Sequence, residues 1–431
     1  MTHKRKSVIV IGSGAGGAMA AKELQSKYDV TVLEEGRAFH PFAVPMEPLA
    51  KLRKTGLFLD ERMIQILFPN MKVQKTSDMV LVHGKGIGGT TTLATGNAIR
   101  YDKDLKAIGI NLDDTFQQLY EELPVTTAHQ RYWNPITRKM FDIFSEMDLN
   151  PMATPKFLYT DKCTSCGNCA VGCKYGAKWD SRVLLTEAMT NGAVCITGCK
   201  VTHIEIRNNA AVTVHTITNG IRKSYTADLI VLAAGGMGTP QILASSGIVC
   251  KPTLFVDPVL CVAAPFENAK QNRQISMPFI SQQNGFILSP YMDWLSFFFN
   301  KAWRYPMQNL VSVMIKLADE EQGGIYNHAV QKKLTVKDYS VLQDGVALSK
   351  EILLRMGVNQ KDIFLGTINA GHPGGMLPFT EKENKTFHHQ CLPENLYIAD
   401  ATILPHAMGN PPMLTIMALA KCIADTIKTI L

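Results

Sequence analysis

The chain opens on Val8-Ile9-Val10-Ile11, four β-branched apolar residues in a row. Such a run predicts a strand buried on both faces, as in a parallel sheet. Gly12-Ser13-Gly14-Ala15-Gly16-Gly17 follows, then Ala18-Met19-Ala20-Ala21-Lys22-Glu23-Leu24, rich in helix formers. A second strand, Val30-Thr31-Val32-Leu33, ends in Glu34-Glu35-Gly36. Further along, alternating polarity in Val201–Ile206 and Val212–Thr216 predicts a β-ribbon, with turns at Asn208-Asn209 and Asn219-Gly220. Leu229-Ile230-Val231-Leu232 predicts another buried strand. Leu342, Val346, Leu348 and Ile352 recur at helical spacing between Val336 and Met356. No internal repeat or low-complexity linker interrupts these segments.

Composition narrows the function classes. At 431 residues the chain is roughly two to three times a typical domain, so at least two packed units are expected. Apolar residues make up 46% and charged residues 19%, which excludes a disordered chain. The net charge of +7 is mild and scattered, apart from the His3-Lys4-Arg5-Lys6 opening, and argues against nucleic-acid binding. No stretch approaches the roughly 18 uninterrupted apolar residues of a membrane span. The expected location is cytoplasmic, where the ten cysteines are read as thiols or metal ligands rather than disulfides.

The first segment reads strand, glycine turn, helix, strand, acid. Gly12 permits the tight turn, Gly14 lets backbone amides approach a pyrophosphate, and Gly17 lets the helix pack close to the sheet. The helix N-terminus faces the phosphates, and Glu34, with Glu35 as the fallback, accepts ribose hydroxyls. The arrangement predicts dinucleotide binding without separating FAD from NAD.

Three further segments bear on that choice. They are Gly84-Lys85-Gly86-Ile87-Gly88-Gly89-Thr90-Thr91; Leu229 to Leu232 with Ala233-Ala234-Gly235-Gly236-Met237-Gly238-Thr239-Pro240; and Asn395-Leu396-Tyr397-Ile398-Ala399-Asp400-Ala401, which leads to Gly409-Asn410-Pro411-Pro412 and a helix through Thr415. In order and content they resemble the glucose–methanol–choline (GMC) oxidoreductases, a family of flavoenzymes. Where that family's loop usually reads GGSSxxN, this chain has Ala94, with Asn97 three positions later. The resemblance implies non-covalent FAD in an α/β fold: a Rossmann-like FAD-binding domain carrying an inserted α+β substrate domain. It implies cofactor contacts from Gly12, Gly14, Ala15, Gly17, Glu34, Gly86, Gly88, Gly89, Thr90, Val201, Ala234, Asp400, Ala401, Asn410, Pro411 and Thr415. Residues 1–110, 190–250 and 390–431 are expected to assemble the FAD domain, 111–189 a helical segment with a cysteine loop, and 251–389 the substrate domain.

Gly371-His372-Pro373-Gly374 resembles the family's HPxG segment, which makes His372 the expected base. Oxidising an alcohol to a carbonyl removes the hydroxyl proton while hydride leaves carbon for the flavin, and imidazole takes a proton near neutral pH. Asn410 matches the family's second active-site position, where an amide hydrogen-bonds the substrate oxygen. It is equally a helix N-cap before Pro411, and His406 is a rival partner.

Cys163-x-x-Cys166-x-x-Cys169-x-x-x-Cys173 has the spacing of bacterial ferredoxin runs that hold [4Fe–4S] clusters. Gly167 and Gly172 permit the tight backbone such wrapping needs. In two-cluster ferredoxins the fourth cysteine serves the other cluster, so either Cys173 or a distant Cys195 or Cys199 would complete the set. Structural zinc and free thiols are the alternatives. A cluster favours a dehydrogenase that passes electrons to an external acceptor, such as a redox protein, over an oxygen-using oxidase. A flavin–iron–sulfur subunit without an alcohol substrate is the further alternative. The aromatic stretch Tyr291–Phe299 with Trp303 is read as packed core, an apolar mouth of the substrate pocket, or a docking patch.

Overall fold

The computed structural model describes residues 5–41, 64–66, 68–326 and 329–430. The opening pattern forms as read: strand Ser7–Ile11, helix Ala15–Leu24 and strand Asp29–Leu33. Ser7–Ile11 lies at the centre of a five-stranded parallel sheet, flanked by Leu229–Leu232 and Asp29–Leu33. Leu396–Ile398 and Val194–Ile196 form its edges. Val8 to Ile11 and Leu229 to Leu232 are all at most 3% exposed, as expected of a parallel sheet buried on both faces, with the Ala15–Leu24 helix packed against its strands. The Ala15–Leu24 helix packs on Met413–Ile430 and on Arg182–Thr190. The predicted ribbon is a three-stranded antiparallel sheet, Cys199–Arg207, Ala210–Thr218 and Ile221–Tyr225. Its turns fall at Asn208, Asn209 and Asn219, all in the left-handed region.

A second, nine-stranded sheet runs Met71–Lys75, Val80–Gly84, Asn369–Ala370, Val259–Pro265, Leu310–Leu317, Phe286–Pro290, Phe279–Gln282 and Met152–Ala153, with Phe364–Leu365 pairing on Val259–Pro265. The two-residue alternation of a strand divides its core. Leu260, Val262, Val311, Val313 and Ile315 face one hydrophobic cluster, against which the Val336–Arg355 helix packs. Cys261, Ala263, Leu310 and Met314 face another, shared with Trp294, Phe297, Phe298 and Trp303. The aromatic stretch is therefore buried, with its helix at Trp294–Phe299 capped by Asp293. Its aromatic core is not exposed as a docking patch. No helix among the described residues is long and apolar enough to cross a membrane.

Candidate active site

A large cavity of about 960 Å³ lies between the two sheets. Glycines bring two loops together at one end. A Cβ on Gly17 would lie 2.0 Å from the Gly12 carbonyl oxygen, and one on Gly16 only 1.6 Å from that of Ala399. These positions serve helix–sheet packing. Gly14 differs: nothing lies within 4 Å of its missing Cβ, and the residue lines the cavity. A Cβ on Gly89 would come within 3.0 Å of Gly14 Cα, so the first and second glycine loops abut. Ser13 ties them, donating from Oγ to Glu34 Oε2 at 2.6 Å and accepting from Gly88 N at 3.1 Å.

Of the residues expected to hold a cofactor, Gly12, Gly14, Ala15, Glu34, Gly89 and Thr90 line this cavity. Val201, Ala234, Asp400, Ala401 and Pro411 line it further along. Gly17, Gly86, Gly88 and Thr415 do not; Gly86 packs on Asn70 and Gly88 on Arg182, while Thr415 Oγ1 donates to the Tyr101 carbonyl. The Glu34 carboxylate accepts from the Ser13 and Gly36 amides, and burial holds its pKa above the usual carboxylate range. Glu35 pairs with Lys85 instead. Asp400, also raised by burial, accepts from Gly235 N, Thr239 Oγ1 and Thr402 N, and so anchors the start of the Gly235–Ser245 helix.

His372 lines the same cavity, and its Nδ1 is buried without a hydrogen-bond partner. Its backbone runs against the 255–257 segment, with His372 N donating to Val256 O and Gly374 N to Phe255 O. That register sets Asp257 Oδ2 3.7 Å from His372 Nδ1. Burial, then the nearby Lys316, pull the imidazole pKa below its usual value, while Asp257 pulls it up. A neutral ring, able to accept a proton, follows.

Asn410 is buried but does not line the cavity. Its Nδ2 donates to Gln282 Oε1 and the Met408 carbonyl, and its Oδ1 has no partner. His406 is exposed beside Glu321 and lies outside the cavity. The sequence reading missed Asp257 and Lys316, and also His83, which lines the cavity and whose pKa burial pushes down to about 4. Lys316 carried a signal: it is the one charge in the otherwise uncharged strand Leu310–Leu317.

The four cysteines of the run line a separate, small cavity walled by Leu158, Ala177 and Ile275; neither Cys195 nor Cys199 reaches it. Among the described residues no three His, Cys, Asp or Glu are gathered closely enough to hold a metal ion. Burial and the neighbouring sulfurs push the Cys163 and Cys166 thiols up. Two buried lysines stand beside them. Lys156 Nζ meets Asn97 Oδ1 and the Ser276 carbonyl, and Lys178 Nζ meets the carbonyls of Thr92, Ala94 and Cys169. Ala94 and Asn97 both line the large cavity, so these lysines bridge the two sites.

Residues 7–255, more than half of the chain, match the sequence profile described as GMC oxidoreductase. The chain belongs to the GMC oxidoreductase family. It is 27% identical to an uncharacterised protein of Methanocaldococcus jannaschii, over 96% of this chain and 97% of that one. It is 24% identical to the long-chain-alcohol oxidase FAO1 of Arabidopsis thaliana, over 98% of this chain but 66% of that enzyme's length. The crystal structure of pyridoxine 4-oxidase from Mesorbium loti superimposes with a TM-score of 0.74 at 14% identity, covering 98% of this chain and 99% of that one. As a GMC oxidoreductase the chain is a flavoprotein enzyme with an α/β fold, and the open Gly14 cradle beside Glu34 fits FAD.

Proposed function

We propose that this GMC oxidoreductase is an FAD-dependent alcohol dehydrogenase, oxidising a CH–OH group to a carbonyl and releasing electrons through a [4Fe–4S] cluster on Cys163, Cys166, Cys169 and Cys173. The observation that carries the first half is His372: a neutral imidazole in the wall of the cavity that also takes in both glycine loops. Bound FAD supplies the hydride acceptor. Gly12, Gly14 and Ala15 would hold its pyrophosphate, Glu34 its ribose, and Gly89, Thr90, Val201, Ala234, Asp400, Ala401 and Pro411 the remaining length. Gly17, Gly86, Gly88 and Thr415 shape that site from behind. His372 takes the hydroxyl proton. Asn410 holds the turn into Pro411 and reaches a substrate oxygen only once its Nδ2 leaves Gln282. Tyr291, Trp294, Leu295 and Phe298 line the cavity and favour an apolar alcohol. The division into an FAD domain (1–110, 190–250, 390–431), a cysteine-loop segment (111–189) and a substrate domain (251–389) belongs to the same proposal.

Four observations support the cluster. They are the ferredoxin spacing, the shared cavity of the four sulfurs, its apolar wall, and two buried lysines beside it. A cubane spreads its thiolates over four irons, so the sulfurs need not converge as they do on one zinc. The cavity is only about 20 Å³, so the loop must open around a cluster. Anaerobic purification with iron and sulfide analysis tests this. Stoichiometric iron and sulfide support the reading; flavin bands alone, without iron, reject it. The Arabidopsis relatives are named oxidases, which favours oxygen as the second reading for the acceptor. Peroxide release matching alcohol consumption would establish oxygen, and dye reduction without peroxide the dehydrogenase.

A further inference from the structure

Beneath His372 lies a buried array of alternating charges, none of which the sequence motifs mark. Asp257, Lys316, Asp319 and Lys332 are each at most 2% exposed. Asp257 Oδ2 accepts from Lys316 Nζ at 2.6 Å, and the same oxygen stands 3.7 Å from His372 Nδ1. Asp257 Oδ1 accepts from the Gly409 amide at 3.0 Å, next to Asn410. Asp257 sits at φ +51° in the left-handed region. Asp319 holds that segment through the Val256 and Asp257 amides, and is itself paired with Lys332 at 2.7 Å. Strand alternation sends Met314 and Lys316 to the cavity face, so the ammonium lies in the wall of the site. Among the described residues the Tyr101 phenol and the Asp319 carboxylate also feel the Asp257 charge.

We propose that Asp257 is the positioning residue of the His372 base, and that Lys316, competing for the same carboxylate oxygen, sets how much of its negative charge the imidazole receives. The inference rests on the reading of His372 as the base. Asp257 orients Nδ1 inward, leaves Nε2 to the substrate, and stabilises the imidazolium formed when the hydroxyl proton arrives. Lys316 opposes that charge and, together with burial, keeps the resting ring neutral. Through Gly409, Asp257 also fixes the turn carrying Asn410, so one carboxylate registers both expected active-site residues.

The test uses FAD-loaded protein with Asp257→Asn, Lys316→Gln and the double variant. Two readouts are taken: the ¹⁵N NMR titration of His372, assigned by its loss in His372→Gln, and the acid limb of the kcat/KM profile for an alcohol. Asp257→Asn should move both downward by about one pH unit and lower the plateau about 100-fold. Lys316→Gln should move both upward by about one unit, and the double variant should return them near the wild-type position. Shifts in the same direction, or none, overturn the proposal, because loss of mere structural support does not depend on the sign of the charge removed. The NMR titration needs no substrate. If His372→Ala retains turnover, the base reading fails while the titration still decides the charge array. If His372→Ala is inactive and the imidazole titrates unchanged, the charge array alone is rejected.

Discussion

Two regions of the molecule bury lysines on opposite terms. Beside His372, Lys316 and Lys332 each meet a carboxylate, Asp257 and Asp319. Around the cysteine loop, Lys156 and Lys178 meet carbonyls and an amide oxygen; Lys178 feels Asp180 only at longer range, and their other neighbours able to become anionic are the cysteine sulfurs. Burial pulls Lys156 down to about 7. An ammonium taken out of water costs several kcal/mol unless a counter-charge answers it. The first region is electrically complete within the chain. The second is completed on our reading by thiolates, formed when a metal displaces the protons of the cysteine thiols.

The sharpest break on the pocket side is His372→Ala. Alcohol turnover should fall about 10²–10⁴-fold with FAD retained, as steady-state assays and flavin content will check; near-wild-type turnover removes His372 as the base. On the cysteine side, Cys166→Ser should cost most of the iron and sulfide and cut dye-linked turnover at least about tenfold, while bleaching by alcohol persists. Unchanged metal content would reject Cys166 as a ligand. A direct contrast comes from two lysines. Lys332→Met strands Asp319 and should destabilise the protein by about 3–5 kcal/mol in denaturant melts, with or without iron. Lys156→Met removes an unanswered charge and should change the iron-free protein by less than about 1 kcal/mol while lowering iron retention. Equal losses in both variants would erase the distinction between the regions. The smallest effect on activity is expected at Leu295, half-buried in the cavity wall. Leu295→Ala should shift the preference between short and long alcohols about tenfold, measured as a ratio of kcat/KM.

What was legible in the sequence were features carried by short contiguous patterns. The β-branched runs formed buried parallel strands, the asparagine turns punctuated the ribbon, and the cysteine spacing brought four sulfurs to one cavity. Asp257 and Lys316 were not legible as partners of His372, since pairing across three strands is a matter of register that no local motif encodes. A lone lysine in the strand Leu310–Leu317 was the available sign, because a charge is retained in such a run only with a partner. Asn410 shows the reverse limit: its position was readable, but the direction of its amide depends on Gln282, 128 residues away.

The most direct measurement is anaerobic mixing of the FAD-loaded protein with a panel of primary, secondary and long-chain alcohols while the flavin absorbance is followed. Bleaching by at least one alcohol, with the matching carbonyl formed, is the predicted result. A flavin that stays oxidised with every alcohol, in protein that dithionite reduces normally, would contradict it.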